Sequence, residues 1–191
     1  MMLMLGDFAV TMGAKASFGA GRVERRFLDE NEFNRLYART ARPLTAYVRR
    51  LTGDPEATRD LVQEAYLRIL RARVPVMDEK QTTSYLYRIA SRLVQDRWRH
   101  QGVDRRWREQ LPAPTSSRGG DRDSALDLDR VLERLRPRDR AVVWLAYVEG
   151  RRHAEIAEIL GLKPASVRVL LFRARRKLVD VLTTEGLAPE A

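Results

Sequence analysis

The sequence contains no cysteine, and histidine occurs only as His100 and His153. Without cysteine there is neither a disulfide framework nor a thiolate zinc site. Two histidines are too few for a catalytic metal centre unless carboxylates supply the remaining ligands. No apolar run approaches the roughly 20 residues of a transmembrane helix, so we expect no stable membrane insertion. No segment sustains the apolar–polar alternation of a strand, which predicts an all-α protein.

Negative charge is also in short supply. Lysine and arginine number 36 against 26 aspartates and glutamates, which gives a formal net charge of +10 over 191 residues. Such an excess favours a polyanionic partner, either a nucleic acid or an anionic membrane surface. The length is enough for one domain or for two small ones.

Helical periodicity divides the chain into two predicted domains. It extends over residues 31–100, disappears in a Pro-, Gly- and Ser-rich stretch at 101–124, and resumes over 125–183. The middle stretch is predicted to be a flexible tether that sets no fixed distance between two small helical domains. Residues 184–191 form a short tail. Within the first domain, proline and glycine predict helix joints at Arg42-Pro43, Gly53-Asp54-Pro55 and Val74-Pro75.

Residues 1–30 begin with MMLMLGDFAVTMGAKASFGAG, which has some features of a signal peptide. The stretch lacks a basic start, however, and Asp7 interrupts its apolar part. We interpret it as a flexible extension of a cytoplasmic protein.

The C-terminal domain contains two helical runs separated by the residues GLKP at 161–164. Gly161 tolerates a positive φ and can end the first run, whereas Pro164 suits the first turn of the second. A short helix, a tight glycine turn and a basic helix follow the plan of a helix-turn-helix, whose second helix lies in a DNA groove. An ordinary helical hairpin with a solvated basic face is the alternative.

The charge of this region favours DNA over the plain hairpin. Between residues 151 and 178, eight basic residues oppose two acidic ones, Glu155 and Glu158. Val169 and Phe172 also project outward on the second helix. They can touch thymine methyl groups or pack on a neighbouring helix.

The stretch RDLVQEAYLRILRA at 59–72 is amphipathic, and its outward stripe contains an apolar residue. Leu67 lies there among Asp60, Gln63, Glu64 and Arg71. A solvated face has no need of this leucine, whereas a face that docks on another protein does. Incidental exposure of one leucine is the other interpretation.

The stretch TTSYLYRIASRLVQDRWRH at 82–100 has an outward stripe of three arginines and a glutamine, bordered by aromatic residues. The stripe is Arg88, Arg92, Gln95 and Arg99, and the aromatic residues are Tyr85, Tyr87 and Trp98. Arginine interleaved with aromatic rings suits a nucleic-acid strand, because cations meet phosphates and rings stack on unpaired bases. Alternatively, the aromatic residues belong to the core and Asp96 pairs with Arg92.

These three segments, in this order, resemble the extracytoplasmic-function (ECF) group of bacterial sigma factors, which belong to the sigma-70 family. The matching residues are DLVQEAYLRIL at 60–70, SYLYRIASRLVQDRWR at 84–99 and LRPRDRAVVWLAYVEGRRHAEIAEILGLKPASVRVLLFRARRKL at 135–178. The resemblance implies a subunit that binds core RNA polymerase, recognises the minus-ten and minus-thirty-five promoter elements and helps to open the duplex. It implies no cofactor, no metal and no catalysis by the chain itself. Many members of the group are held inactive by an anti-sigma factor.

The resemblance also implies a role for each segment. The first helix would dock on core polymerase through Asp60, Gln63, Glu64, Leu67 and Arg71. The second helix, with the preceding 73–83 loop, would hold the unwound minus-ten element through Tyr85, Arg88, Arg92, Gln95, Trp98 and Arg99. The helix-turn-helix would read the minus-thirty-five element through Lys163, Ser166, Arg168, Val169, Phe172, Arg173 and Arg176. The protein would work in the cytoplasm, at the nucleoid when bound to polymerase.

The sequence departs from the family pattern at three places. Acidic residues usually precede DLVQE, but here Ala57-Thr58-Arg59 stand there. We therefore hypothesise that a regulatory kinase phosphorylates Thr58, which would add about −1.5 to −2 charge and restore docking. Leu170 stands where a basic residue is common and Val169 where a small polar one is, so the promoter sequence cannot be copied from relatives. Residues 1–30 have no counterpart in the pattern.

Two other functions account for part of the sequence. A transcriptional activator of the response-regulator type has a similar helix-turn-helix. It also needs an upstream α/β receiver domain with an acidic phosphate-accepting pocket, and the N-terminal half of this sequence shows neither buried strands nor such a pocket. A helix-turn-helix recombinase needs a nucleophilic serine or tyrosine in an arginine-rich cleft. Tyr85 or Tyr87, beside Arg88 and Arg92, would be the candidates for that role.

Overall fold

The computed structural model describes residues 25–100, 132 and 134–184. The N-terminal part contains β1 (Arg25–Arg26), α1 (Glu30–Thr52), α2 (Pro55–Arg71), β2 (Val74–Pro75) and α3 (Glu79–His100). The C-terminal part contains α4 (Pro137–Tyr147), α5 (His153–Leu160) and α6 (Pro164–Thr184). The prediction of an all-α protein is confirmed. The predicted tether at 101–124 lies outside the described residues.

Helix α1 has a strong start and passes through a proline. The Asp29 carboxylate accepts a hydrogen bond from the Glu32 amide at 2.8 Å, and the Glu32 carboxylate accepts one from the Asp29 amide at 3.0 Å, so two otherwise unpaired amides are satisfied. The helix continues through Pro43, and the joint predicted at Arg42-Pro43 is therefore wrong. An interior proline costs about 3 kcal/mol, but burial of Leu36 and Leu44 on either side of it offsets that cost.

The other two predicted joints are confirmed. Gly53 has φ 68° and ends α1. Asp54 then caps α2, because its Oδ1 accepts hydrogen bonds from the amides of Glu56 at 2.9 Å and Ala57 at 3.2 Å. The residues Val74–Pro75 separate α2 from α3 and form β2.

Strand β2 pairs antiparallel with β1, with Arg25 opposite Pro75 and Arg26 opposite Val74. Residues 25–26 thus belong to β1, and Asp29 and Glu30 to the start of α1, instead of to the extension predicted to end at residue 30. Residues 1–24 lie outside the described part of the chain. The Arg26 guanidinium donates to the Glu32 carboxylate and lowers the pKa of that carboxyl to about 2. This ion pair fixes the short strand to the start of α1.

The two halves of the protein are packed together. Helix α3 contacts α5, and α1 contacts α4. Arg140 of α4 donates from Nη1 to the Arg50 carbonyl of α1 at 2.8 Å, and the Arg50 guanidinium lies 5.4 Å from the centre of the Trp144 ring. The expectation that no distance is fixed between the domains of the free chain is therefore wrong for this structure. Buried contacts between the domains oppose their separation.

Candidate polymerase and nucleic-acid interfaces

The outward side of α2 is a mixed acidic and apolar surface. Its five predicted docking residues are exposed or half-buried, namely Asp60, Gln63, Glu64, Leu67 and Arg71. The opposite side of the helix buries Ala65, Tyr66 and Ile69 in the core. Glu64 Oε1 accepts a hydrogen bond from Arg68 Nε at 2.6 Å. The core side thus fixes the orientation of α2 and leaves the five predicted residues on its outward side.

Thr58 does not lie on this surface, and a phosphorylation site there is a wrong prediction. Its side chain is buried, with only 2% of its area exposed. The hydroxyl donates to the Asp54 carbonyl at 2.6 Å and lies 2.8 Å from Thr52 Oγ1. A kinase could reach it only if the start of α2 came apart. The residue therefore fastens the α1–α2 turn.

The outward stripe of α3 is only partly free. Arg92 and Arg99 are exposed, whereas Gln95 and the rings of Tyr85 and Trp98 are half-buried. Arg99 Nη2 lies 2.8 Å from Asp96 Oδ1. The alternative in which Asp96 pairs with Arg92 is therefore wrong.

Tyr87 and Arg88 are buried more deeply than the sequence predicts. Tyr87 was expected at the edge of the outward stripe of α3, and Arg88 within it. Tyr87 is fully buried, and burial, reinforced by the nearby Glu149 carboxylate, raises the pKa of its hydroxyl. Because the hydroxyl is enclosed in the protein, it cannot reach a DNA phosphate, which removes Tyr87 as a recombinase residue. The Arg88 side chain is 18% exposed, and its Nη1 lies 3.9 Å from Oε1 of Glu158 in the second domain.

The loop between α2 and α3 has an exposed apolar surface that the sequence pattern does not predict. Phe27 is 52% exposed and Val76 is 59% exposed. The Arg73 guanidinium lies 5.5 Å from the centre of the Phe27 ring. Only the pairing of β1 with β2 brings Phe27 to this loop, and a two-residue strand leaves no periodic signal in the sequence.

The helix-turn-helix has the predicted geometry. Gly161 has φ 65°, and the Leu162 amide donates to the Ala157 carbonyl at 2.7 Å, which closes the end of α5. On α6, Val167, Leu171 and Ala174 are buried. The α5–α6 turn therefore fixes which side of α6 faces solvent.

The solvent side of α6 carries the predicted DNA-reading residues. Val169 is 56% exposed and Phe172 is 67% exposed, so neither packs on a neighbouring helix in the described part of the chain. Ser166 is half-buried, and the remaining predicted residues are exposed, namely Lys163, Arg168, Arg173 and Arg176. The surface therefore combines cations with two apolar side chains.

An acidic side chain lies close to this basic surface. Burial raises the pKa of Asp139 on α4, and the positive charges around it, that of Arg173 foremost, oppose the rise.

The described ranges contain neither a cluster of metal-ligating side chains nor a helix that could span a membrane. Over residues 25–100, 132 and 134–184, no three histidine, cysteine, aspartate or glutamate side chains lie together as metal ligands would. No helix in those ranges has the length and apolar character needed to cross a membrane.

Comparison with known proteins gives two family matches. Residues 36–103 match the family described as Sigma-70 region 2, and residues 125–178 match Sigma-70, region 4. The RNA polymerase sigma factor CarQ of Myxococcus xanthus is 31% identical over 163 residues, which cover 82% of this chain and 94% of the relative. The RNA polymerase sigma-E factor of Streptomyces coelicolor is 31% identical over 158 residues, covering 81% and 89% respectively.

A solved structure supports the fold. The sigma factor RpoE of Bartonella quintana, determined in complex with the anti-sigma factor NepR, aligns with a TM-score of 0.64. The alignment covers 80% of this chain and 98% of that one at 16% sequence identity. With both sigma regions matched in order and relatives aligned over nearly their full lengths, the chain belongs to the ECF group of sigma-70 factors and functions in promoter-specific initiation of transcription by RNA polymerase.

Proposed function

We propose that the surfaces described above divide the work of initiation. The outward side of α2 docks on core RNA polymerase, α3 with the 73–83 loop holds the unwound minus-ten strand, and α6 reads the minus-thirty-five element. The chain itself catalyses no reaction and needs no cofactor, because polymerase supplies the chemistry. It works in the cytoplasm, at the nucleoid when bound to polymerase.

The distribution of charge is the observation that carries this division. The α2 surface has the acidic residues Asp60 and Glu64 around Leu67, whereas α3 exposes Arg92 and Arg99. The exposed arginines of α3 attract a DNA strand, whereas the carboxylates of Asp60 and Glu64 do not. An apolar side chain among acidic ones is suited to a protein partner with basic residues.

The minus-ten and minus-thirty-five surfaces differ in the contacts they offer. On α3, half-buried Tyr85 and Trp98 beside exposed arginines are suited to unpaired bases that stack on rings. On α6, exposed Arg168, Arg173 and Arg176 would contact duplex phosphates. Val169 and Phe172, which are also exposed there, would meet thymine methyl groups in the major groove.

An anti-sigma factor is a further proposed partner. The Bartonella quintana relative was crystallised with the anti-sigma factor NepR. An inhibitor of this chain would need to cover α2 or α3, since the polymerase and minus-ten surfaces lie there. A kinase acting at Thr58 does not fit the structure, because that hydroxyl is enclosed.

Paired charge reversals test the division of labour. We expect Asp60→Arg with Glu64→Arg to lose polymerase binding, because both substitutions place positive charge on the docking surface. We expect Arg92→Glu with Arg99→Glu to bind polymerase normally but to fail in promoter opening. Promoters are first found by runoff transcription of fragmented genomic DNA. Polymerase binding is then measured by fluorescence anisotropy with core enzyme. Promoter opening is measured on those promoters by the permanganate reactivity of unpaired thymines.

The two double variants serve as each other's controls. Equal loss of polymerase binding by both would show that α2 and α3 do not have separate roles. Absence of discrete transcript starts with wild-type protein and active core enzyme would contradict the proposed function as a whole.

A further inference from the structure

Two side chains of α1 hold the loop that joins α2 to α3, one at each end of the loop. The α2–α3 loop, residues 73–78, contains β2 and is the first part of the 73–83 stretch that we assign to the minus-ten strand. Glu32 bonds the strand that pairs with β2, and Arg39 bonds the start of α3. The two residues are separated by about two helical turns, so they lie on the same side of α1.

Arg39 makes three contacts with the beginning of α3. Its Nη2 donates to the Glu79 carbonyl at 3.0 Å, and its Nε donates to Thr83 Oγ1 at 3.2 Å. Its Nη1 lies 3.0 Å from Glu79 Oε2. The Thr83 hydroxyl in turn donates to the same Glu79 carbonyl at 2.8 Å. Because a guanidinium is a rigid, planar fork of donors, these contacts fix both the position and the rotation of the first turn of α3 against α1.

The first turn of α3 in turn fixes the last residue of the loop. Asp78 Oδ1 accepts a hydrogen bond from the Gln81 amide at 2.7 Å, and Gln81 Oε1 accepts one from the Asp78 amide at 3.0 Å. Thr82 Oγ1 donates to the Asp78 carbonyl at 2.8 Å. Asp78 is therefore held to α3 by its backbone and by its side chain, so the contacts of Arg39 also hold this end of the loop.

The other end of the loop is held through β1. Strand β2 pairs with β1, and Arg26 of β1 donates from Nη1 to Glu32 Oε2 at 2.6 Å. Both residues of this ion pair lie outside the 36–103 stretch that matches sigma region 2. This part of the support is therefore not included in the matched family pattern.

Between β2 and the cap of α3 lie only two residues, Val76 and Met77. Val76 is 59% exposed and Met77 is half-buried. A tip of two residues with both ends held has little conformational freedom to lose when a nucleic-acid strand binds. A surface that is ordered in advance keeps the difference between a right and a wrong base, whereas a loop that can repack adapts to both.

We infer that Arg39 and Glu32 are positioning residues for recognition of the minus-ten element. They hold the α2–α3 loop in one conformation before DNA arrives, and the tip at Val76 and Met77 contacts bases of the unwound strand in that conformation. Arg39 acts through the loop and not through contact with DNA. The inference rests on the proposed function, because it needs the loop to belong to the minus-ten surface.

Three substitutions on α1 separate the position of the loop from the charge of the helix. Arg39→Gln removes both the positive charge and the fork of donors, whereas Arg39→Lys keeps the charge but cannot make the three contacts. Arg35→Gln is the matched control. Arg35 also faces Glu79, with its Nε 3.7 Å from Oε1, but that contact is longer and the Arg35 side chain is 60% exposed. A fourth variant, Arg26→Gln, breaks the ion pair at the other end of the loop.

Discrimination between bases is the first measurement. Holoenzyme made with each variant is titrated with labelled single-stranded oligonucleotides that carry a minus-ten sequence found by runoff transcription, or that sequence with one base changed. With the parent chain, a wrong base at a position that the tip contacts should raise the Kd about tenfold. With both Arg39 variants and with Arg26→Gln, this ratio should approach one at the same positions, because the correct oligonucleotide loses affinity and the changed ones do not. Arg35→Gln should keep the ratio of the parent chain.

Hydrogen–deuterium exchange of the full chains is the second measurement, because it reports on the loop itself. Peptides that cover residues 73–83 should exchange faster in the Arg39 variants than in the parent chain and in Arg35→Gln. The affinity for core polymerase should be the same for all these chains, since the α2 surface is unchanged. If Arg39→Gln binds polymerase poorly, the comparison of Arg39→Lys with Arg35→Gln decides the test.

Unchanged discrimination in the Arg39 variants or in Arg26→Gln would overturn the inference. An equal loss of discrimination in Arg35→Gln would also overturn it, because the effect would then follow the charge of α1 and not the position of the loop. A parent holoenzyme that distinguishes no base at any position would instead contradict the proposed function.

Discussion

The hydroxyl of Thr58 has a structural role. It joins the first turn of α2 to the end of α1 through the Asp54 carbonyl and Thr52 Oγ1. The sequence shows that a threonine stands where the family resemblance leads one to expect an acidic residue, but it does not show which way the side chain points. Here the hydroxyl points inward because the Gly53–Asp54 turn brings α1 beside the first turn of α2.

We expect Thr58→Val to destabilise the protein by about 1–2 kcal/mol, since it removes a buried hydrogen-bonding group without changing the shape of the side chain. Thr58→Glu should cost more, because it buries a charge with no partner. Thr45→Val is the matched control. Its hydroxyl is exposed and bonds only the Ala41 carbonyl of its own helix, so the decrease in stability should stay within about 0.5 kcal/mol. Urea unfolding followed by circular dichroism measures all three, and equal effects of Thr58→Val and Thr45→Val would contradict this role.

Arg88 and Tyr87 show what residue patterns leave undetermined. Helical spacing places Arg88 on the same side of α3 as Arg92 and Arg99, and the structure keeps that spacing. The spacing carries no information about a second domain covering one end of that side. Arg88 is half-buried and Tyr87 is fully buried because α5 and Arg151 lie against them, and those residues are more than 60 positions away in the chain.

Among the elements, those controlled by local chemistry were predictable. Gly53 and Gly161 both end helices at positive φ, because glycine has no Cβ to clash in that conformation. Pro43 was misleading, since its local preference for a helix end is overridden by burial along α1. The β1–β2 pair was not predictable, because pairing between two-residue strands depends on where the helices place their ends.

Substitutions of Gly161, in the turn between α5 and α6, can distinguish the effect of backbone strain on stability from the effect of side-chain packing. A Cβ added at Gly161 would meet no atom within 4 Å, so only the φ of 65° resists a side chain. We expect Gly161→Ala to cost about 1–2 kcal/mol. Gly161→Asn should cost less, because asparagine tolerates the left-handed region. Thermal unfolding measures both, and an asparagine variant no more stable than the alanine variant would show that another factor dominates.

At the scale of the whole molecule, the sequence predicted two helical units and their order but not their contact. The predictions rested on periodicity within segments, which reports the side of each helix that is buried. It does not report whether an exposed acidic residue such as Glu155 is solvated or paired with Lys80. Such pairing follows from the mutual fit of two folded surfaces, and only the assembled structure contains it.

Because the net charge is +10, the affinity for DNA should fall as the salt concentration rises. The steepness of that fall can identify the side chains that contact phosphates. Removing one cation that touches a phosphate should change the slope of log K against log salt concentration by about 0.9, because fewer condensed cations are released from the duplex. We therefore expect Arg176→Ala, on the exposed side of α6, to make the slope of duplex binding shallower by about that amount. Arg68→Ala is the control, since Arg68 is equally cationic but lies on α2 and is paired with Glu64. The slope of this variant should equal that of the parent chain. Anisotropy titrations over a salt series measure both slopes. An unchanged slope for Arg176→Ala would place the duplex on another surface of the protein, whereas equal changes in both variants would indicate a diffuse attraction to the whole charge.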